Sequence, residues 1–111
     1  MKRYCLTLDL KDDPHLIASY ERYHQRIPEA IEQSIREAGI LDLQIFRLGT
    51  RMCMIMETSE DFSFEKKAAM DAANPAVQEW EAIMWQFQVA LPQAKPGEKW
   101  LLMEKIFQLN S

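Results

Sequence analysis

Residues 51–57 (Arg-Met-Cys-Met-Ile-Met-Glu) restrict the fold of this chain more than any other stretch. Side chains of an extended strand alternate between the two faces of a sheet. Met52, Met54 and Met56 therefore share one face, and Cys53 and Ile55 the other. A strand that is apolar on both faces belongs to a sheet covered on both faces. Two covering layers must be found.

The rest of the chain provides the other strands and one of those layers. Tyr4, Leu6, Leu8 and Leu10 alternate with Cys5, Thr7 and Asp9, so residues 3–10 read as a strand. Lys11-Asp12-Asp13-Pro14 is a turn that leads into a helix, with Asp13 as N-cap and Pro14 at the first helical position. Leu16, Tyr20, Ile27, Ile31 and Ile35 recur at steps of four or seven and share a helical face. Pro28 interrupts that face, because an interior proline loses a hydrogen bond and clashes with the preceding turn. Two successive helices are expected, at about 14–26 and 28–38, stopped by Ala38-Gly39. Residues 41–48 read as a second strand, and the short Gly49-Thr50 turn makes an antiparallel hairpin with 51–57. A helix over 63–73 follows. Val77, Trp80, Met84, Phe87 and Leu91 space out another helix, then come a loop at 92–97 and a fourth strand at 100–109.

The order β-α-β-β-α-β is the ferredoxin-like arrangement, an α+β fold. The 111 residues suit one domain over positions 1–111. Helices cover one sheet face, and the chain has nothing left to cover the other. A second copy supplies the missing layer: a homodimer whose sheets pack face to face as a dimeric α/β barrel.

Charge and pattern narrow the function. Thirteen basic against 17 acidic residues give a net charge of −4, which argues against nucleic acid as a partner. The longest apolar runs are only a few residues, too short to span a membrane. Asp9 and the alternation around it interrupt any signal-like apolar block, so an intracellular, cytoplasmic location is expected. Cys5 and Cys53 lack metal-type or redox spacing and read as small buried hydrophobes. No His, Cys and Asp cluster suggests a metal, no glycine-rich loop suggests a phosphate, and no carboxylate pair has a demanding spacing.

A tyrosine–histidine pair and a tryptophan carry the chemistry worth weighing. His24 follows Tyr20 by four residues, so both project from one helix face. A histidine there can be a satisfied core or edge residue. It can also give and take protons near neutrality, while a tyrosine one turn away orients a hydroxyl-rich ligand. Trp80 is either core packing or a flat apolar platform for the C–H face of a sugar; Trp85 and Trp100 admit the same two readings. Arg47 reads as a surface salt bridge or a contact to a sugar hydroxyl.

Several stretches resemble the L-rhamnose mutarotase family, including its L-fucose-type members. They are the N-terminal strand, Tyr20-Glu-Arg-Tyr-His24, Gly39, Ile45-Phe-Arg-Leu-Gly-Thr-Arg-Met, Val77-Gln-Glu-Trp80 and Met103-Glu-Lys-Ile-Phe-Gln-Leu. The resemblance implies a ferredoxin-like dimer that interconverts the anomers of a 6-deoxy-L-sugar without a cofactor. It makes His24 the proton donor and Tyr20 and Trp80 substrate contacts. This chain departs from the rhamnose pattern at Leu43, where the family has a second contacting tyrosine, at Glu81, where it has a second tryptophan, and at Pro28-Glu29, where it has Trp-Pro. The departures concern the substrate and leave the acid/base residue in place, and the Ile-Phe-Arg-x-Gly-x-Arg stretch is closer to the fucose-type members. Other classes open to this sequence are a monooxygenase-like or haem-degrading enzyme on the same barrel, a non-catalytic sugar-binding module, and a structural dimer.

Overall fold

The structure, a computed structural model, describes residues 1–110. The chain runs β1 (Lys2–Leu10), α1 (Pro14–Gln25), α2 (Glu29–Glu37), β2 (Ile40–Leu48), β3 (Arg51–Thr58), α3 (Phe64–Ala72), α4 (Pro75–Trp85), β4 (Gln88–Val89) and β5 (Leu101–Leu102). The sheet order is β2-β3-β1-β4, with β5 also paired to β1, and every pairing is antiparallel. This is the ferredoxin-like arrangement expected from the strand and helix order.

Local chemistry explains where the elements begin and end. The Asp13 carboxylate accepts from the N–H groups of His15 (2.9 Å) and Leu16 (3.3 Å), which caps α1; such a cap is worth about 1 kcal/mol. Pro28 is extended (φ −57°, ψ 145°) and separates α1 from α2, while its carbonyl accepts from Ile31 and Glu32 to start the second helix. Gly39 ends the α2 segment at φ 95°, and a Cβ there would stand 2.8 Å from Ser59 Oγ. Glycine alone satisfies both demands. Asn74 caps α4 through the N–H groups of Ala76 and Val77, with Pro75 in the first turn.

The methionine alternation falls as expected. Met52, Met54 and Met56 are buried against the helices together with Leu6, Leu8 and Leu10. Two clusters form this core, one around Leu8, Tyr20, Met52, Met84 and Phe87, the other around Leu6, Ile40, Met54, Met56 and Phe62. Ile45 and Trp100 pack against both.

Three expectations are corrected. The helix carrying Val77 and Trp80 ends at Trp85, although Phe87 and Leu91 remain buried. The N–H groups of Gln86 and Phe87 reach back three residues to the Ile83 and Met84 carbonyls, closing the helix, and the Phe87 carbonyl then accepts from the Lys11 N–H. The free edge of β1 captures the chain, and Gln88 and Val89 pair with Leu10 and Asp9. The fourth strand expected over 100–109 is confined to Leu101–Leu102, extended by the bond from Met103 N–H to the Cys5 carbonyl. Beyond it, Ile106, Phe107 and Leu109 are exposed, at 92%, 73% and 82%. The cysteines are half-buried rather than buried. They lie on the sheet face away from the helices, with sulfurs 3.0 Å apart. The contact with Cys5, aided by partial burial, pushes the Cys53 thiol up to about 11.

Candidate active site

A cavity of about 980 Å³ lies between the helix-covered face of the sheet and the helices α1, α2 and α4. That is at the upper end of the range typical of small-molecule sites. Leu43, Ile45, Met54 and Met56 form its apolar floor from β2 and β3. Tyr20 and His24 enter from the last turns of α1, Trp80, Glu81 and Met84 from α4, and Gln88 from β4.

The three residues singled out by sequence meet here. The Tyr20 and His24 rings lie 4.3 Å apart between centroids, and the His24 and Trp80 rings 5.7 Å apart. His24 is thus held between two aromatic rings on the wall of the cavity. The i, i+4 spacing on α1 accounts for the first contact. The second joins α1 to α4, two helices far apart in sequence, and no local pattern encodes it.

The hydrogen bonding of His24 sets its proton inventory. Its Nδ1 donates to the Tyr20 backbone carbonyl at 2.8 Å. A carbonyl only accepts, so Nδ1 bears hydrogen and Nε2 carries the free lone pair when the ring is neutral. Burial lowers the His24 pKa below the ordinary 6.5, and the bond to the Tyr20 carbonyl opposes that shift less strongly. At neutral pH the ring is an uncharged base. Tyr20 is buried, and desolvation raises its pKa above 10.0, with the charge of Glu81 adding to the effect and a hydrogen bond from Gln88 opposing it. The phenol therefore keeps its proton through the physiological range.

Polar residues that the sequence did not flag complete the cavity. Gln88 is buried, and its Nε2 donates to the Tyr20 hydroxyl oxygen at 3.3 Å. Lys99 donates to the Glu81 carbonyl at 3.0 Å and to the Glu81 carboxylate, and its ammonium lies 4.6 Å from the centre of the Trp85 ring. Gln88 and Lys99 sit on a two-residue strand and a loop, where no periodicity marks them. The one available signal for Gln88 is a polar side chain next to the apolar Phe87, a position that burial forces to find a partner. Arg47 pairs with Glu21 of α1 at 2.6 Å and bonds to the Gly49 carbonyl, the salt-bridge alternative for that residue. Among the described residues, no group of three or more His, Cys, Asp and Glu could hold a metal ion.

The positions at which the chain departs from the rhamnose pattern also gather here. Pro28, Glu29, Leu43 and Glu81 all line the cavity. Leu43 gives the cavity wall an aliphatic side chain there, and Glu81 a carboxylate.

The sequence profile described as L-rhamnose mutarotase matches residues 3–109. An L-fucose mutarotase from Xanthomonas campestris pv. campestris is 50% identical over 113 residues, covering 99% of this chain and 90% of that protein. Among solved structures, the L-rhamnose mutarotase of Formosa agariphila superposes with a TM-score of 0.73 at 17% identity, over 98% of this chain and 99% of that one. A dimeric ferredoxin-like protein from an uncultured marine organism superposes with a TM-score of 0.53 at 12% identity, over 96% of this chain and 90% of that one.

Proposed function

Because the chain belongs to the L-rhamnose mutarotase family and is an isomerase that interconverts sugar anomers, we propose that it is a one-domain, homodimeric enzyme acting on a free 6-deoxy-L-hexose, L-fucose in preference to L-rhamnose, with His24 as its acid/base residue. The observation that carries the proposal is the state of His24. It is a neutral imidazole with a free Nε2 lone pair, held between Tyr20 and Trp80 on the wall of a cavity that has room for a hexose. The preference for L-fucose rests on the 50% identical relative and on Leu43, Glu81 and Pro28 in the cavity wall.

The chemistry follows from the hemiacetal. Trp80 offers an apolar face to the C–H side of the pyranose. His24 Nε2 takes the proton of the anomeric hydroxyl. The electrons of that O–H bond form the C1 carbonyl as the bond from C1 to the ring oxygen breaks, and the ring oxygen receives a proton from a second group. Rotation about C1–C2 presents the other carbonyl face. The ring oxygen then attacks, returns its proton to the second group, and His24 returns its proton to the anomeric oxygen. His24 thus shuttles one proton, acting first as base and then as donor. General acid/base assistance contributes about 10²–10⁴-fold, which is useful for a reaction that already proceeds slowly in water. The residues balance every proton among themselves, so the cycle calls for no cofactor.

Homodimerisation is supported by the sheet face away from the helices. Phe46, Leu48 and Val89 are exposed there at 54%, 86% and 42%, beside the half-buried Cys53 and Ile55. Packing this face on its copy gives the dimeric α/β barrel. The paired free thiols of Cys5 and Cys53 fit a reducing compartment such as the cytoplasm. No helix among the described residues is long and apolar enough to cross a membrane.

A panel of free hexoses scored by NMR exchange between α and β anomers tests the substrate assignment. Exchange is expected to be fastest with L-fucose. Equal or faster exchange with L-rhamnose would contradict the preference, and no acceleration with any 6-deoxy sugar would contradict the assigned substrate class.

A further inference from the structure

We propose that Gln88 is a positioning residue that turns the single hydroxyl proton of Tyr20 toward the sugar, making Tyr20 the acid partner of His24 at the ring oxygen. The inference rests on the cavity being the mutarotase site and supplies the second proton-transfer group that the mechanism requires.

A phenol has one proton to donate and an oxygen that accepts. Gln88 Nε2 donates to the Tyr20 oxygen at 3.3 Å, so Gln88 occupies the accepting side of the hydroxyl and leaves its proton uncommitted. Tyr20 donates to no protein group among the described residues, and its ring shares the cavity wall with His24 at 4.3 Å between centroids. The other end of the Gln88 amide makes the arrangement pointed. Its Oε1 is buried and has no hydrogen-bond partner among the described residues. Turning the amide over would bring that oxygen against the Tyr20 hydroxyl, which would then donate to Gln88 and have no proton left to give a ligand. With the amide nitrogen toward Tyr20, the phenolic proton stays free for a ligand.

In the reaction, His24 Nε2 takes the O1 proton while Tyr20 gives its proton to the ring oxygen as the C1–O5 bond breaks. The enzyme then holds an imidazolium and a phenolate, and the sugar is the neutral hydroxy-aldehyde. An alkoxide is a stronger base than a phenolate, so the developing ring-oxygen charge draws the proton even from a buried tyrosine. The Gln88 N–H stabilises the phenolate while it exists, through a hydrogen bond to a charged acceptor. Ring closure reverses both transfers and restores the starting enzyme.

Anomer-exchange kinetics of wild type, Tyr20→Phe, Gln88→Met and the double variant test this. Tyr20→Phe is expected to lower kcat by about 10²-fold or more. Gln88→Met should lower kcat about tenfold with KM within about twofold, and should have no further effect once the Tyr20 hydroxyl is gone. Gln88→Met with wild-type kcat, or with the same factor in both backgrounds, would overturn the proposal. If Gln88→Met does not fold, Tyr20→Phe decides alone, since it keeps the ring and its packing; a kcat within about twofold of wild type would overturn the acid role. Failure of the underlying site assignment looks different, because His24→Ala would then exchange anomers as fast as wild type whatever Tyr20 and Gln88 do.

Discussion

His24 donates through Nδ1 to the Tyr20 carbonyl and loses solvent to the rings around it, and both facts shape its titration. As the base it must be neutral, so kcat/KM should fall on acidification with a midpoint below 6.5, the ordinary histidine value. A pH–rate profile in which activity instead rises as the pH drops through that region would mean that imidazolium is the starting form. The same depressed pKa links to stability. Between the folded and unfolded values the unfolded chain holds more protons, so this contribution is present above 6.5 and lost as pH falls through the folded value. Thermal melts of His24→Gln against wild type across that window would show the difference narrowing. Trp80 is tested differently. Trp80→Ala removes the apolar platform and should raise KM more than it lowers kcat, as loss of uniform binding does. The site was only partly legible in the sequence. Tyr20, His24 and Trp80 carry helical spacing or a resemblance, and Leu43, Glu81 and Pro28 marked where the wall changes. Gln88 and Lys99 belong to segments without periodicity, and only tertiary packing brings them to the cavity.

The elements that hold these side chains were more legible, because capping and alternation are local. Asp13-Pro14, Pro28, Gly39, Gly49-Thr50 and Asn74-Pro75 each stand where the structure starts, breaks or turns an element. Gly39 is the most demanding of these, with its left-handed backbone and a Ser59 oxygen 2.8 Å from any added Cβ. Gly39→Ala should destabilise the fold by about 1–3 kcal/mol, read as a lowered denaturant midpoint; an unchanged midpoint would show that Ser59 and the α2–β2 turn yield freely. The failures fall where local pattern competes with a sheet edge. Phe87 and Leu91 keep helical spacing and stay buried, yet the unpaired edge of β1 takes Gln88 and Val89 as a strand. That capture is what brings Gln88 to Tyr20. The apolar stretch from Trp100 reads as a strand as far as Leu109, but β4 and β5 share the one edge of β1, and only Leu101–Leu102 forms a strand there.

At the scale of the whole molecule, the sheet has a helix-covered face with a cavity beneath it and an opposite face that carries Phe46 and Leu48 into solvent. A monomer would tolerate a charge at Phe46, since the ring is half exposed. A face-to-face dimer would not. Phe46→Asp should therefore shift the sedimenting species from dimer to monomer, and a wild-type chain that sediments as a monomer would contradict the barrel. Catalysis by proton shuttling inside the cavity is the claim on which the account turns. Magnetisation transfer between the α and β anomers of L-fucose, measured with wild type and with His24→Ala at matched folded concentration, tests it most directly. The account predicts enzyme-accelerated exchange that falls by about 10²–10⁴-fold in the variant; exchange equally fast with and without the His24 imidazole would contradict it.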